Sequence, residues 1–365
     1  MVQIVNKQSL NMENYLQTSE EVAPIWIKSV PFALPTLYRS PFGYGDGGGR
    51  FYFHKDKPGF YSGYSHWTKQ VLPTSNFLVD WKVNQGAERA ELILRSSGCY
   101  GTLFHYVVSC HEQAVAAGAK RSDLLTMPES GHKYTVFSFE IDWWMEFAKE
   151  MASGEYLPPS VVEEWRGKLH HDMAGYLMFK QAHNVQVLGV EVPLSVDDFM
   201  VATPGDLVVA MTISEGQGRG KKKAEKRIIA GIDLKTGDKS AAYDGYRLQL
   251  LFMRYAWNQY AAGTDYEMTH VFNWRPKDRS SKYGGFVLTD QGGRMVDDEY
   301  VPYFSEQQLI HLGRTNRIMR YNEPTGAVKM YADNGSEDYT VQMVTPQQWL
   351  RRWQGIDLPQ KEQTT

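Results

Sequence analysis

The chain has 365 residues, 42% of them hydrophobic and 13% aromatic, with a formal net charge of −3. This is ample apolar material for a packed core and more length than a typical domain, so one elaborated domain or two fit it. The charge excludes a global basic field, so any contact with a polyanion must come from a local patch.

Two cysteines, Cys99 and Cys110, exclude a disulfide framework and a cysteine-rich zinc site. No run of about 18 apolar residues offers a membrane span. The opening residues, Met1 to Lys7, lack the pattern of a signal peptide, so a cytoplasmic location is the default expectation.

Residues 1–60 are rich in Pro, Tyr and Gly. The run from Gly43 to Arg50 lacks the Gly-Lys-Ser/Thr ending of a phosphate loop and reads as a turn. Trp67 and Trp81 read as aromatic core packing. Residues 87–117 read as mostly helical and carry His105 four residues after Gly101. A lone helical histidine is more often packed than ligating. His111, His170, His171 and His183 have no acidic companions in the pattern and read as surface or structural. Residues 141–153 form a short amphipathic helix with Trp143 and Trp144. A longer helix opens at Pro158 and runs to about Asn184, with Ser160 and Glu163 at capping-box spacing.

Val185 to Leu194 is a strand carrying Glu191, which reads equally as an acid supporting a nearby site or as an edge-exposed residue. Val201 to Met211 is a second strand with one acid, Asp206. A polar, Gly-rich link, 214–226, joins it to a third, Ile228 to Leu234, which spells a hairpin. Arg219, Lys221, Lys222 and Lys223 in that link read as a solvated tip or as a phosphate contact. Residues two apart in a strand share a face, so Asp233 and Lys235 project together from its end. The hairpin brings Asp206 near Asp233, and two carboxylates beside a lysine form a candidate Mg2+ site. Ser240 to Ala261 is a periodic helix with Tyr246, Gln249, Met253 and Trp257 along one stripe. Residues 267–274 form a further strand. Beyond Arg275 the chain turns to loops, then to a helix over 305–320 with Arg314, Arg317 and Arg320, and a short capped helix from Thr345.

Taken in order, Gly101 with His105, Glu191, Gly205-Asp206, Asp233-Leu234-Lys235 and Gln249 resemble the PD-(D/E)XK nuclease superfamily, in its RecB-like and phage-exonuclease branch. That family's pattern is G-x-x-x-H on a helix, a Glu on a strand, G-x-D, D/E-x-K, then Gln-x-x-x-Tyr on a helix. The likeness spans residues 60–275, and segment 59–83 looks like the Ser/Thr-rich lead-in and helix of phage-type relatives. Two departures stand out. Met253 replaces the family's tyrosine, although Tyr246 shares Gln249's helical face and can substitute. Gly205 also directly precedes Asp206, with no residue between them.

The resemblance implies an α/β fold, a central mixed β-sheet flanked by helices. It places a restriction-endonuclease-like core at 59–275, an N-terminal extension at 1–58 and a C-terminal accessory region at 276–365. It implies a metal-dependent DNA nuclease, an exonuclease of the phage or bacterial recombination and repair type, working in the host cytoplasm if phage-encoded. DNA is the implied partner, with a recombination or replication protein as a further one. Asp206 and Asp233 would bind Mg2+ or Mn2+, with His105 and the Leu234 carbonyl as further ligands. Lys235 would orient or activate the attacking water, and Gln249 and Tyr246 would position that lysine or the DNA. Two cysteines exclude the four-cysteine iron–sulfur cluster of some RecB-like relatives. Two other classes stay open: a catalytically degenerate DNA-binding or virion-associated protein on the same fold, and a carbohydrate-active enzyme with paired acids, which gives Lys235 no purpose.

Overall fold

The structure, a computed structural model, describes residues 20–22, 25–39, 50–54, 60–73, 76–118, 123–126, 131, 133–136, 140–215, 224–237, 244–277, 279–280, 284–296, 299–320, 328–332 and 340–344. The chain begins with short strands β1 (Glu20–Val22), β2 (Ile25–Trp26), β3 (Leu37–Arg39), β4 (Phe51–His54) and β5 (Phe60–Gly63). Helices α1 (Tyr64–Val71), α2 (Asn76–Gln85) and α3 (Ala87–Ala116) follow, then a small hairpin of β6 (Asp123–Thr126) and β7 (Lys133–Val136). Next come α4 (Ile141–Gly154), α5 (Pro159–Ala182), and three long strands, β8 (Gln186–Val196), β9 (Val201–Glu215) and β10 (Ala224–Leu234). The chain continues through α6 (Asp244–Ala261), β11 (Met268–Pro276), β12 (Phe286–Asp290), β13 (Gly293–Val296), β14 (Glu299–Pro302), α7 (Glu306–Arg320), β15 (Val328–Ala332) and β16 (Thr340–Val344).

A ten-stranded mixed sheet organises these elements, in the order β1-β3-β4-β5-β9-β10-β11-β12, with β8 paired to β9 and β2 to β8. The expected hairpin is β9 with β10, antiparallel from Glu215↔Ala224 to Leu207↔Ile232. β10 and β11 are parallel, and α6 supplies the crossover that parallel neighbours require. Strands from both sides of residues 59–275 join the sheet: β1, β3 and β4 at one edge and β12 at the other.

Helices cover both faces, which makes an α/β protein with a flanked, mixed central sheet. One apolar cluster packs α3, α4 and α5 through Phe104, Trp144 and Phe179 against Leu207, Val209 and Ile232. The other packs α1 and α6 through Trp67, Phe252 and Trp257 against Val192, Val208 and Val271. Trp67 is fully buried beside Tyr64 and Phe252, so the aromatic-core reading of that residue stands.

The two clusters also reveal a break in the strands. Val190 and Leu207, paired across β8 and β9, belong to the first cluster. Val192 belongs to the second, and its partner Gly205 meets Met253 and Leu194 of that cluster. Residues two apart in a regular strand share a face, so both strands roll over between these pairs. The residues at the roll are Glu191, with a left-handed φ of +49°, and Asp206.

Two local expectations fail. Ser160 does not cap α5: the helix begins at Pro159, with Pro158 outside it and no side-chain cap. Proline suits the first helical position because it has no N–H to satisfy there, so Ser160 already lies inside the helix. The region after Arg275 is also not all loop. Phe286–Asp290 pairs with β11 and β13 pairs with β14. Every residue of β12 is half-buried, so it carries no alternating apolar signal. The short helix expected from Thr345 lies outside the described residues.

Candidate metal centre

The strand β10 stops at Leu234, while β9 runs past it to pair with β5 at Val201 and Ala202. That fork exposes the backbone at the end of β10, and the singled-out residues collect around it. Asp206 caps the strand end, its Oδ2 accepting the Leu234 N–H at 2.7 Å. The ladder to β11 continues one step further, with Lys235 N–H donating to the Trp274 carbonyl at 2.8 Å.

Gly101 and His105 lie one turn apart on α3 and face the same strand end, as residues four apart do. A Cβ added at Gly101 would lie 3.4 Å from Thr236 Oγ1, so the glycine lets α3 close onto the segment after Lys235. His105 Nε2 hydrogen-bonds the Leu234 carbonyl at 3.1 Å. Its Nδ1 faces Glu191 Oε1 and Asp206 Oδ1, each at 3.7 Å. One ligand atom from each of His105, Glu191 and Asp206 falls within 4.8 Å of the others. Glu191 has a left-handed φ of +49° at this point of the strand. Such a conformation costs a non-glycine residue on the order of 1–3 kcal/mol and gathers at functional sites.

The other carboxylate is differently placed. Asp233 is buried; its Oδ1 accepts from Lys235 Nζ at 2.7 Å and its Oδ2 accepts from the Asn273 side-chain amide. Lys235 Nζ also lies 4.5 Å from the centre of the Tyr246 ring, a cation–π contact. The side chains of Asp233 and Asp206 are 4% and 14% exposed, those of Lys235 and Glu191 28% and 36%, so the group opens to solvent on the Lys235 and Glu191 side.

These distances couple the charges. Burial pushes the His105 imidazole down, but the Asp206 and Glu191 carboxylates outweigh it and raise the pKa to about 9. Burial, reinforced by Glu191, raises Asp206 against the pull of His105 and Lys235. Burial likewise lifts Asp233 to about 6 despite Lys235 beside it. Lys235 is lowered by burial yet ends raised, because Asp233 and Asp206 favour its charged form. Acids held in a buried group at raised pKa are short of positive charge, which a cation would supply.

The structure therefore brings His105, Glu191, Asp206, Leu234, Asp233, Lys235 and Tyr246 to one place. Gln249 lies half-buried on α6 and its side chain makes no hydrogen bond among the described residues. Met253, on the same stripe, packs against the sheet instead. Its side chain fills the notch left by Gly205 and Gly231, where an added Cβ would come within 2.8 and 2.9 Å of it. Arg219, Lys221, Lys222 and Lys223 lie outside the described residues. Asn273 was not singled out from the sequence. Its place depends on the β10–β11 register, which sets it opposite Asp233, and only the polar residue inside the apolar run 271–274 hinted at it.

Cys99 and Cys110 form no disulfide, and neither is part of the His105, Glu191 and Asp206 group. Among the described residues no helix is long and apolar enough to cross a membrane. Neither a family model nor a curated protein matches the chain.

Proposed function

We propose that this chain is a metal-dependent phosphodiesterase acting on DNA, built on a restriction-endonuclease-like core and working as an exonuclease. The observation that carries the reading is the convergence of His105, Glu191 and Asp206 on one point, next to the Asp233–Lys235 pair, at the end of a single strand. One imidazole and several carboxylate oxygens suit Mn2+ or Mg2+, and the absence of thiolate disfavours softer ions. A divalent cation in that group would lower the pKa of a bound water and offset charge on a phosphate.

The chain's own residues have separable tasks in this reading. Asp206 would hold the ion with its free carboxylate oxygen, since Oδ2 accepts the Leu234 N–H and the strand it caps orients the side chain. His105 Nε2–H on the Leu234 carbonyl fixes the ring, so that Nδ1, facing Glu191 and Asp206, would be a ligand once the incoming ion displaces its proton. The Leu234 carbonyl, which accepts from His105, has a second lone pair that would be available to the ion. Lys235, partly exposed and braced by Asp233 and Tyr246, is the group that meets a phosphate or its attacking water. An aromatic face and a buried carboxylate keep the ammonium charged and in one place.

The test is digestion of end-labelled DNA by the full chain with Mn2+, with Mg2+ and with excess chelator. Release of nucleotides with either metal and none with chelator supports the reading. Metal-independent binding without cleavage supports the degenerate DNA-binding alternative instead.

A further inference from the structure

Four backbone groups between Leu234 and Thr236, at the end of β10, are each held by a different element. Asp206 accepts from Leu234 N–H, His105 donates to the Leu234 carbonyl, the Trp274 carbonyl accepts from Lys235 N–H, and Arg279 donates to the Thr236 carbonyl at 2.7 Å. The first three belong to the sheet or to the candidate ligands. Arg279 belongs to neither, and nothing in the reading above uses it.

Its surroundings are unusual for a turn residue. Arg279 Nε and Nη2 make a forked pair with the two oxygens of Asp172 on α5, at 2.9 and 2.6 Å. Asp172 is fully buried and also accepts from the Tyr100 hydroxyl at 2.8 Å. The Arg279 guanidinium carbon lies 5.6 Å from the centre of the Tyr100 ring. Tyr100 directly precedes Gly101, the residue that brings α3 against Thr236. A planar guanidinium can serve two carboxylate oxygens and a carbonyl at once; an ammonium has neither that geometry nor that reach.

We infer that Arg279, fixed by Asp172 and Tyr100, is a positioning residue of the candidate metal centre. Its fork ties α3 and α5 to the carbonyl just after Lys235, and so sets where the Leu234 carbonyl and the Lys235 side chain stand. A residue behind the ligands of this kind typically governs metal affinity by roughly ten- to a hundredfold. The inference rests on the metal-dependent reading of the site.

The alternative is an ion pair that stabilises the fold and has no bearing on the site. A second buried network provides the comparison. Glu112 accepts from the Tyr176 hydroxyl at 2.8 Å and from Lys180 Nζ at 2.5 Å, and joins α3 to α5 without touching segment 234–236. The experiment is calorimetric titration of Mn2+ into folded wild type, Arg279→Lys, Asp172→Asn and the control Lys180→Met, each with its melting temperature.

Arg279→Lys and Asp172→Asn should each weaken Mn2+ binding about tenfold or more, while Lys180→Met loses melting temperature and keeps wild-type affinity. Wild-type Mn2+ affinity in folded Arg279→Lys overturns the inference. So does failure of both Arg279→Lys and Asp172→Asn to fold, since the pair is then a folding element. Equal weakening in Lys180→Met also overturns it, because affinity would then follow stability alone. If wild type itself binds no Mn2+, it is the metal-dependent reading that fails, and the inference falls with it.

Discussion

On one side of Leu234 the polar groups satisfy one another. Asp233 is hydrogen-bonded at both oxygens, by Lys235 and by Asn273, and Tyr246 backs the lysine. On the other side His105 stands 3.7 Å from Glu191 and from Asp206, too far for good hydrogen bonds, and Glu191 has a left-handed φ. The closed half is what a buried charge needs when it must be held still. The open half spends one oxygen of Asp206 and one nitrogen of His105 on Leu234 and leaves the facing atoms, Asp206 Oδ1, His105 Nδ1 and Glu191 Oε1, without a close hydrogen bond to one another, which is the arrangement that leaves room for a cation. Four substitutions can break or sharpen this contrast.

The largest effect belongs to Asp206, which touches both halves. Asp206→Ala should abolish Mn2+ binding and DNA cleavage together, a loss of at least about a thousandfold in rate if the metal contributes several kcal/mol. The circular dichroism spectrum should remain that of wild type. Cleavage at even a tenth of the wild-type rate would remove Asp206 from the centre of the account.

Next comes Lys235. Lys235→Met should reduce turnover by about a hundredfold, in the range of a positioned proton-transfer or phosphate-binding group. Mn2+ affinity measured by calorimetry should change little, because a charged ammonium offers the ion no lone pair. Equal loss of affinity and turnover would move Lys235 from the chemistry to the scaffold.

The third contrast is between the metals. A neutral imidazole suits Mn2+ better than Mg2+, which prefers oxygen. His105→Ala should therefore slow Mn2+-supported cleavage more than Mg2+-supported cleavage. Equal loss with both, accompanied by a lower melting temperature, would make His105 a packing residue whose bond to Leu234 is its whole purpose.

The smallest effect should have an unusual sign. Glu191→Gly removes the strain of a left-handed side-chain residue and should stabilise the metal-free protein by about 0.5–1 kcal/mol after glycine's own entropy cost. The same change should weaken Mn2+ binding roughly tenfold. A gain in melting temperature paired with a loss in affinity is the mark of strain kept for function. If stability falls instead, the left-handed turn at Glu191 is not strained and the argument from it is lost.

Much of the closed half was legible in the sequence. Strand alternation alone set Asp233 and Lys235 on one side of a strand end, and two apolar runs around a polar link spelled the β9–β10 hairpin. His105 could be weighed only through its resemblance to a nuclease motif, because helical periodicity does not say which distant strand a histidine meets. The open half was less legible. Glu191 was left between two roles because the roll of β8 and β9 depends on which cluster each neighbour joins, and no local pattern records that.

Register hid Asn273, since the pairing that sets it beside Asp233 is decided by a crossover helix. Arg279 and Asp172 were hidden by 107 residues of separation. Gln249 was named from the motif, yet Met253 on the same stripe is the residue that fits the paired glycines at 205 and 231, because only a flexible, unbranched side chain fills that notch.

The central claim is that a divalent cation binds between His105, Glu191 and Asp206. Anomalous diffraction from crystals of the full chain soaked in Mn2+ tests it most directly. The account predicts a manganese peak roughly 2.0–2.3 Å from His105 Nδ1 and from an Asp206 oxygen, with Glu191 as a direct or water-bridged ligand. A peak bound elsewhere, or no peak with His105 Nδ1 still facing Glu191 and Asp206, would contradict it.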